Sequence, residues 1–502
     1  MRYVLGVDFG GGASKATLLT ENGDLICSVS KEYAMSHPHV GWAEQSPEDC
    51  YDALVENVRS ILDITGIAPE SIEALALDAA THIAVLLDDE DRIIRPAIHW
   101  SDRRSTAEAN RLLEHHLETV SQKSLNYPNA LWTLPQLMWL RENEPQNHAR
   151  IHRILFLKDY VRYRLTGDFV TDEVEAMGSM LLDARKNVWA DDLCALCGIQ
   201  TSALPQIVAP MQIVSRLTDQ ARRDTGLAAS IKVIAGSTDT VMEVFASGSI
   251  RTGQMTVKLA TAGRICPITD KGILHPMLVN YRHVIPGLWY PGTATKTCAA
   301  SYRWYRDVLC QHEMHLAEDR DTEAYALMDA EAARIAPGSE GLFYHPYLQG
   351  EATPYMDDSL RASFIGVTSY HTKGHFNRAV MEGVSYSLKE CLMLLQELGI
   401  APDCANIIGG GAKSAVWRQI TADILGIPLR KNVCDDSSMG SAMLAGVASG
   451  VFGSFAESVQ KCIKPDCDVI PDPAAQAVYQ KEFSRYRAIH DALAPIYQGM
   501  VD

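Results

Sequence analysis

Two strand–turn–strand units, one at the start of the chain and one just past its middle, restrict most what this sequence can fold into. Tyr3 to Val7 reads as an apolar strand, Asp8-Phe9-Gly10-Gly11-Gly12-Ala13-Ser14 as a turn, and Lys15 to Thr20 as a second strand. Asn22-Gly23 then favours a tight hairpin into Leu25 to Val29. The alternating Met255 to Leu259 breaks at Ala260-Thr261-Ala262-Gly263 and resumes to Ile268. Both halves continue with mixed strands and helices, so the pattern predicts an internal duplication with a period near half the chain. A tip poor in side chains lets backbone N–H groups approach a phosphate, and Asp8 would face a metal ion or its water. Neither unit is a P-loop, because no GxxxxGK[ST] precedes a helix; the same glycines also suit a plain turn.

Between the units lies Val233 to Gly263. An apolar run, Val233-Ile234-Ala235, ends in Gly236-Ser237-Thr238, and Asp239 follows with a helical pattern behind it. A carboxylate at a strand end is well placed for chemistry, while capping of the helix is an equal reading at this point. Pro47 to Ile64 has helical periodicity with Ser46 as N-cap. Ala74 to Leu77 and Ala84 to Leu87 read as strands flanking Asp78-Ala79-Ala80-Thr81-His82, and a polar cluster, Trp100-Ser101-Asp102-Arg103-Arg104, comes next. Taken alone, His82 reads as a structural histidine and Trp100 as packing. Lys373 to Leu398 is a long core helix with Thr372 before it. Asn406-Ile407-Ile408 empties into Gly409-Gly410-Gly411-Ala412 and a helix through Leu425. Such a run admits a ribose or phosphate against bare amides, or lets strand and helix pack closely. Gly440-Ser441-Ala442 is expected to open another helix and leave room for the same ligand.

A chain of 502 residues exceeds one ordinary core. With 45 Lys plus Arg against 62 Asp plus Glu, its net charge of −17 argues against nucleic-acid or anionic-membrane partners. No apolar stretch approaches a membrane span. The N-terminus lacks the pattern of a signal peptide. The 12 cysteines, of which Cys194 with Cys197 and Cys462 with Cys467 are closest, lack zinc spacing. Reduced thiols and a cytoplasmic location are expected.

GGGAKSAVWRQITADILGIPL, Gly409 to Leu429, resembles the C-terminal signature of the FGGY family of carbohydrate kinases. Val40 to Leu54, Leu155 to Asp172, Pro346 to Val367 and Met439 to Gly450 resemble further family segments in the same order, nearly covering the chain. The resemblance implies an α/β protein of two ribonuclease H-like (actin-like ATPase) domains with a central cleft: residues 1–248 for the sugar and 249–502 for the nucleotide. It assigns Asp8, Gly10, Gly11, Gly12, Ser14 and Lys15 to the first phosphate motif, with Asp8 also near Mg²⁺. Thr261 and Gly263 match the second phosphate motif, Gly410, Gly411 and Ala412 the adenosine-binding stretch, and Asp239 the catalytic base. Its usual pKa of about 3.9 would make Asp239 a weak base. Leu86 to Asp88 and Trp100 to Arg104 look most like members acting on D-xylulose, with His82, Trp100, Asp102 and Asp239 as the pocket. The implied reaction is ATP- and Mg²⁺-dependent conversion of D-xylulose to D-xylulose 5-phosphate. Another ketose, a polyol, an aldonate, or a catalytically silent binding protein are the alternatives, and a homodimer is compatible with the resemblance. Ala80, Thr81 and Ile83 depart from the family's sugar pocket. Gly11 stands in place of Thr and Ala262 in place of Ser, which removes two hydroxyls from the phosphate turns.

Overall fold

The computed structural model describes residues 1–434 and 436–500. In the first half, β1 (Tyr3–Phe9), β2 (Ala13–Thr20) and β3 (Leu25–Glu32) form an antiparallel meander. After helix α1 (Pro47–Thr65), β4 (Ile72–Ala79) returns parallel to β1. The chain later adds helix α2 (Leu157–Thr166) and strands β5 (Ile213–Ser215), β6 (Lys232–Ile234) and β7 (Ser237–Thr238), giving a seven-stranded sheet of order β5-β6-β4-β1-β2-β3 with β7 also on β4. Val4, Leu5, Val7 and Phe9 are all fully buried, as befits a central strand covered on both faces.

The second half repeats the scheme after helix α3 (Asp239–Ala246). β8 (Gln254–Leu259), β9 (Gly263–Pro267), β10 (Val279–Arg282) and β11 (Trp289–Ala294) are antiparallel neighbours. Helices α4 (Ala299–Leu309) and α5 (Lys373–Glu397) intervene before β12 (Cys404–Ile408), which runs parallel to β8. Helix α6 (Ala415–Leu425), β13 (Leu429–Asn432), helix α7 (Ser437–Ser449) and β14 (Pro465–Val469) complete a sheet of order β10-β11-β9-β8-β12-β13-β14. In each sheet an antiparallel meander leads, across a long helix, to a strand parallel to its first member. The duplication expected from the two strand–turn–strand units is therefore present in the topology, with α1 and α5 as equivalent crossovers.

Local signals explain the element ends. Ser46 accepts from the Asp49 amide, Pro47 occupies the first helical turn, and Gly66 at φ 63° closes α1. The halves interlock through α7, which belongs to the second half by sequence yet packs on β1, β4 and β2 of the first sheet and on α3. A Cβ on Gly6 would lie 2.0 Å from the Ser438 carbonyl oxygen, so the helix lies directly on the strand. Here one expectation is corrected. Gly440-Ser441-Ala442 do not open the helix or leave space for a ligand. The helix begins at Ser437 with Asp436 as its cap, and these small residues are buried where it meets α3 and the sheet. A Cβ on Gly440 would sit 2.3 Å from the Met242 carbonyl oxygen.

Candidate active site

Three carboxylates gather where parallel strands end. Asp8 on β1 pairs in register with Asp78 on β4, and β7 pairs with the same end of β4 before handing over to Asp239. This is the edge at which open α/β sheets present ligand-binding groups. Asp239 is the first residue of α3, whose N-cap is Thr238. Its carboxylate accepts from the Thr240 amide at 2.5 Å and hydroxyl at 3.1 Å, so it turns on the next residue and does not act as the cap. The side chain is still partly accessible. Burial, reinforced by the negative charge of Glu243 one turn on, pushes its pKa up to about 6, tempered by the Lys258 ammonium. The ordinary aspartate value expected from sequence is thereby corrected towards neutrality, where a base is more effective. Glu243 is held 2.5 Å from Lys258 on β8, an ion pair that spans the two halves.

Burial raises the pKa of both Asp8 and Asp78; the hydrogen bond from Asp78 favours ionised Asp8, whose charge in turn raises Asp78 further. Two desolvated carboxyls this close hold one proton between them. Asp78 accepts from the Ser441 hydroxyl of α7 at 2.5 Å, while Asp8 Oδ1 is buried without a partner.

Two turns flank this cluster. In the first, Gly10 donates to the Ala13 carbonyl and gives its own carbonyl to Tyr33 and Gln45. The Gly11 and Gly12 amides have no acceptor among the described residues. A Cβ on Gly11 would meet Met35 at 2.8 Å and His99 Nε2 at 3.3 Å, so the space that a threonine side chain would need is filled. Two residues expected in this motif point elsewhere. Ser14 is fully buried within the sheet, and Lys15 forms an ion pair with Asp436 at 2.7 Å. In the second turn, Gly263 donates to Thr295. Exposed Thr261 receives a hydrogen bond from Arg303 of α4 at 3.3 Å.

Beside the second turn opens a cavity of about 730 Å³, lined among others by Ala260, Thr261, Tyr302, Arg303, Tyr325, Gly410, Gly411 and Trp417. Gly410 and Gly411 face it from a short helical turn after β12, whereas Ala412, expected with them, is fully buried behind.

The expected sugar residues divide. His82 is buried at φ 74°, with Nδ1 donating to the Gly178 carbonyl (2.5 Å) and Nε2 accepting from the Tyr281 hydroxyl (2.7 Å). Burial lowers its pKa to about 3, so the ring is neutral, and Trp132 meets its edge at 4.5 Å. The structural reading of His82 is satisfied, and the bond to Tyr281 on β10 ties one half to the other. Asp102 is buried and saturated by the Ala43 and Arg104 amides and the Arg104 guanidinium, which leaves no lone pair directed to a ligand. Trp100 is 43 % exposed. Residues that the sequence reading passed over complete the cluster: Asp78, Glu243, Lys258, His99, Tyr281 and Arg264. Asp78 alone carried a signal, being an acid at the end of an apolar run like Asp239.

Among the described residues no group of three or more His, Cys, Asp or Glu is arranged to hold a metal by itself. The orphaned Asp8 oxygen in an acidic cluster nonetheless suits a cation carried in by a polyphosphate and held through water.

The fold and this cleft define a two-domain sugar kinase of the actin-like ATPase type. The N-terminal domain of the FGGY family of carbohydrate kinases matches residues 3–246 and the C-terminal domain residues 250–449. The xylulose kinase of Bacillus subtilis is 31% identical over 497 residues, 98% of this chain and 97% of its own. The gluconokinase of the same organism is 28% identical over 463 residues, 90% and 89% of the two chains. The crystal structure of xylulose kinase from Rhodospirillum rubrum superposes with a TM-score of 0.91 at 27% identity, covering 99% of this chain and 100% of that one. This chain belongs to the FGGY family of carbohydrate kinases and is an ATP-dependent sugar kinase. No helix of the described residues is long and apolar enough to cross a membrane.

Proposed function

We propose that the chain transfers the γ-phosphoryl group of ATP to a primary hydroxyl of a small open-chain sugar bound in the cleft, with Asp239 as the base. By kinship D-xylulose leads as acceptor, giving D-xylulose 5-phosphate, and a gluconokinase at nearly equal identity adds the sugar acids. The observation that carries the reading is Asp239: an accessible carboxylate at a strand end, with a pKa near neutrality, whose acidic neighbour Glu243 already has a cation.

Asp239 accepts a hydrogen bond from the sugar hydroxyl and takes its proton as the new oxygen–phosphorus bond forms. The bond to the β-phosphate breaks, ADP leaves, and the proton passes from Asp239 to solvent. Phosphoryl transfer asks chiefly for alignment and charge neutralisation. The free amides of Gly11 and Gly12 serve one side of the polyphosphate and the Ala260–Gly263 turn with Arg303 the other. The base and ribose lie in the cavity beside Gly410 and Gly411. Asp8 would hold Mg²⁺ through water, and the ion would supply charge neutralisation on the phosphates. Tyr281, Lys258 and Arg282 keep the halves together around the acceptor, excluding water that would waste ATP.

ADP release coupled to a spectrophotometric readout, run against ketopentoses, ketohexoses, polyols and aldonates, tests the reaction. Asp239→Asn should lower turnover by about 100-fold or more, the scale of a lost general base. Near-normal turnover by a folded variant would reject Asp239 as base.

A further inference from the structure

On the face of the β8–β9 hairpin turned to the first half, Lys258 and Arg264 stand directly opposite each other in register. Facing them across the cleft are two acids, Glu243 and Asp239. Lys258 is satisfied by Glu243. Arg264 has no ion pair or hydrogen bond among the described residues, and its Nε is buried without a partner. The rest of its side chain stays partly accessible, as for a group that lines an internal cleft. Its charge lies within electrostatic reach of Asp239, Tyr281, Tyr290 and His82. These are the proposed base and a buried aromatic cluster in which Tyr281 contacts both His82 and Tyr290. His82 is neutral and cannot share an anion with it. A guanidinium held out of bulk water with no direct ion-pair partner, and only the field of Asp239 acting on it, is incompletely compensated, and a bound anion would complete the pairing. Its planar fork matches a carboxylate in two parallel hydrogen bonds.

We propose that Arg264 reads a carboxylate on the acceptor, making a sugar acid of the aldonate class, and not a neutral ketose, the preferred substrate. The assignment rests on the kinase reading and narrows its acceptor. The aldonate lies with its carboxylate on Arg264 and its far primary hydroxyl on Asp239. The hydroxyl oxygen bonds to the γ-phosphorus, its proton goes to Asp239, ADP departs, and the carboxylate is unchanged. A neutral ketose in the same pocket would leave Arg264 desolvated and unpaired. That penalty discriminates far more strongly than an extra methylene would.

The test is kcat/KM of the full chain with MgATP for D-gluconate, D-xylonate, D-xylulose and D-fructose, in the unmodified protein and in Arg264→Met and Arg264→Lys. Thermal melting confirms that each variant folds. The unmodified protein should favour an acid over the best ketose by tenfold or more. The acid-to-ketose ratio should fall about 10- to 100-fold in Arg264→Met, the worth of a charged hydrogen bond, chiefly through KM, with partial recovery in Arg264→Lys. A preference for ketoses in the unmodified protein overturns the inference and leaves the kinase reading intact. A ratio unmoved by Arg264→Met also overturns it and assigns the arginine to the transferred phosphoryl group or to the fold. Absence of ADP formation with every acceptor overturns the kinase reading. Calorimetric titration with D-gluconate then judges Arg264 independently, since binding abolished by Arg264→Met sustains the carboxylate contact and absence of binding refutes it.

Discussion

Asp239 sits where burial, Glu243 and Lys258 contest its charge, and the balance sets the pH range of catalysis. A base must be unprotonated, so a carboxyl whose pKa is raised to about 6 loses activity as pH falls through 6. An ordinary aspartate would hold out to about pH 4. A profile of kcat/KM, which reports the free enzyme, should bend near pH 6 on its acid side. Lys258→Met removes the cation that favours the ionised form, so the bend should move to higher pH; an unmoved bend would assign it to another group. The first phosphate turn has its own residue-scale logic. The hydroxyl missing at Gly11 is matched by His99 and Met35, which fill the space beneath it. Gly11→Thr should therefore weaken nucleotide binding through crowding, measurable as a raised KM for ATP.

At the scale of elements, the contact of α7 with β1 leaves no room for a side chain at Gly6. Gly6→Val would push the helix from the sheet and should cost at least about 1–3 kcal/mol, seen as a lowered thermal midpoint. An unchanged midpoint would mean that the helix is less tightly seated than its geometry requires. The strands and turns here were legible in the letters, because alternation, apolar runs and glycine punctuation are local. Asp239 was legible for the same reason, as a lone acid after Val233-Ile234-Ala235. Asp78 satisfied the same rule and was overlooked. Lys258 and Arg264 carried no signal, since each lies in an alternating strand and takes its meaning from what faces it across the cleft. The two histidines differ in kind: His82 was visible but its satisfied nitrogens were not, whereas His99 matters only through its closeness to Gly11. Lys15, Ser14 and Ala412 matched motifs by position, but partners distant in sequence or complete burial direct them away from the turn surfaces.

In the whole molecule, the halves are joined along β10. Asn280 and Asn126 exchange hydrogen bonds of 2.8 and 3.1 Å, Tyr281 reaches His82, and Arg282 donates to the Ala184 carbonyl. Asn126→Ala, which removes both bonds to the Asn280 main chain, combined with Tyr281→Phe, should loosen this seam. Small-angle scattering of the ligand-free variant should give a larger radius of gyration than the unmodified protein, and equal radii would locate the clasp elsewhere.

The lodging of α7 on the first sheet also bears on how the protein is made. One face of that sheet is clothed by α1 and α2, but its other face waits for residues 437–449, near the end of the chain. During synthesis the N-terminal half thus carries a sticky apolar wall for as long as the ribosome needs to finish almost everything else, an interval in which chaperones have the most to protect.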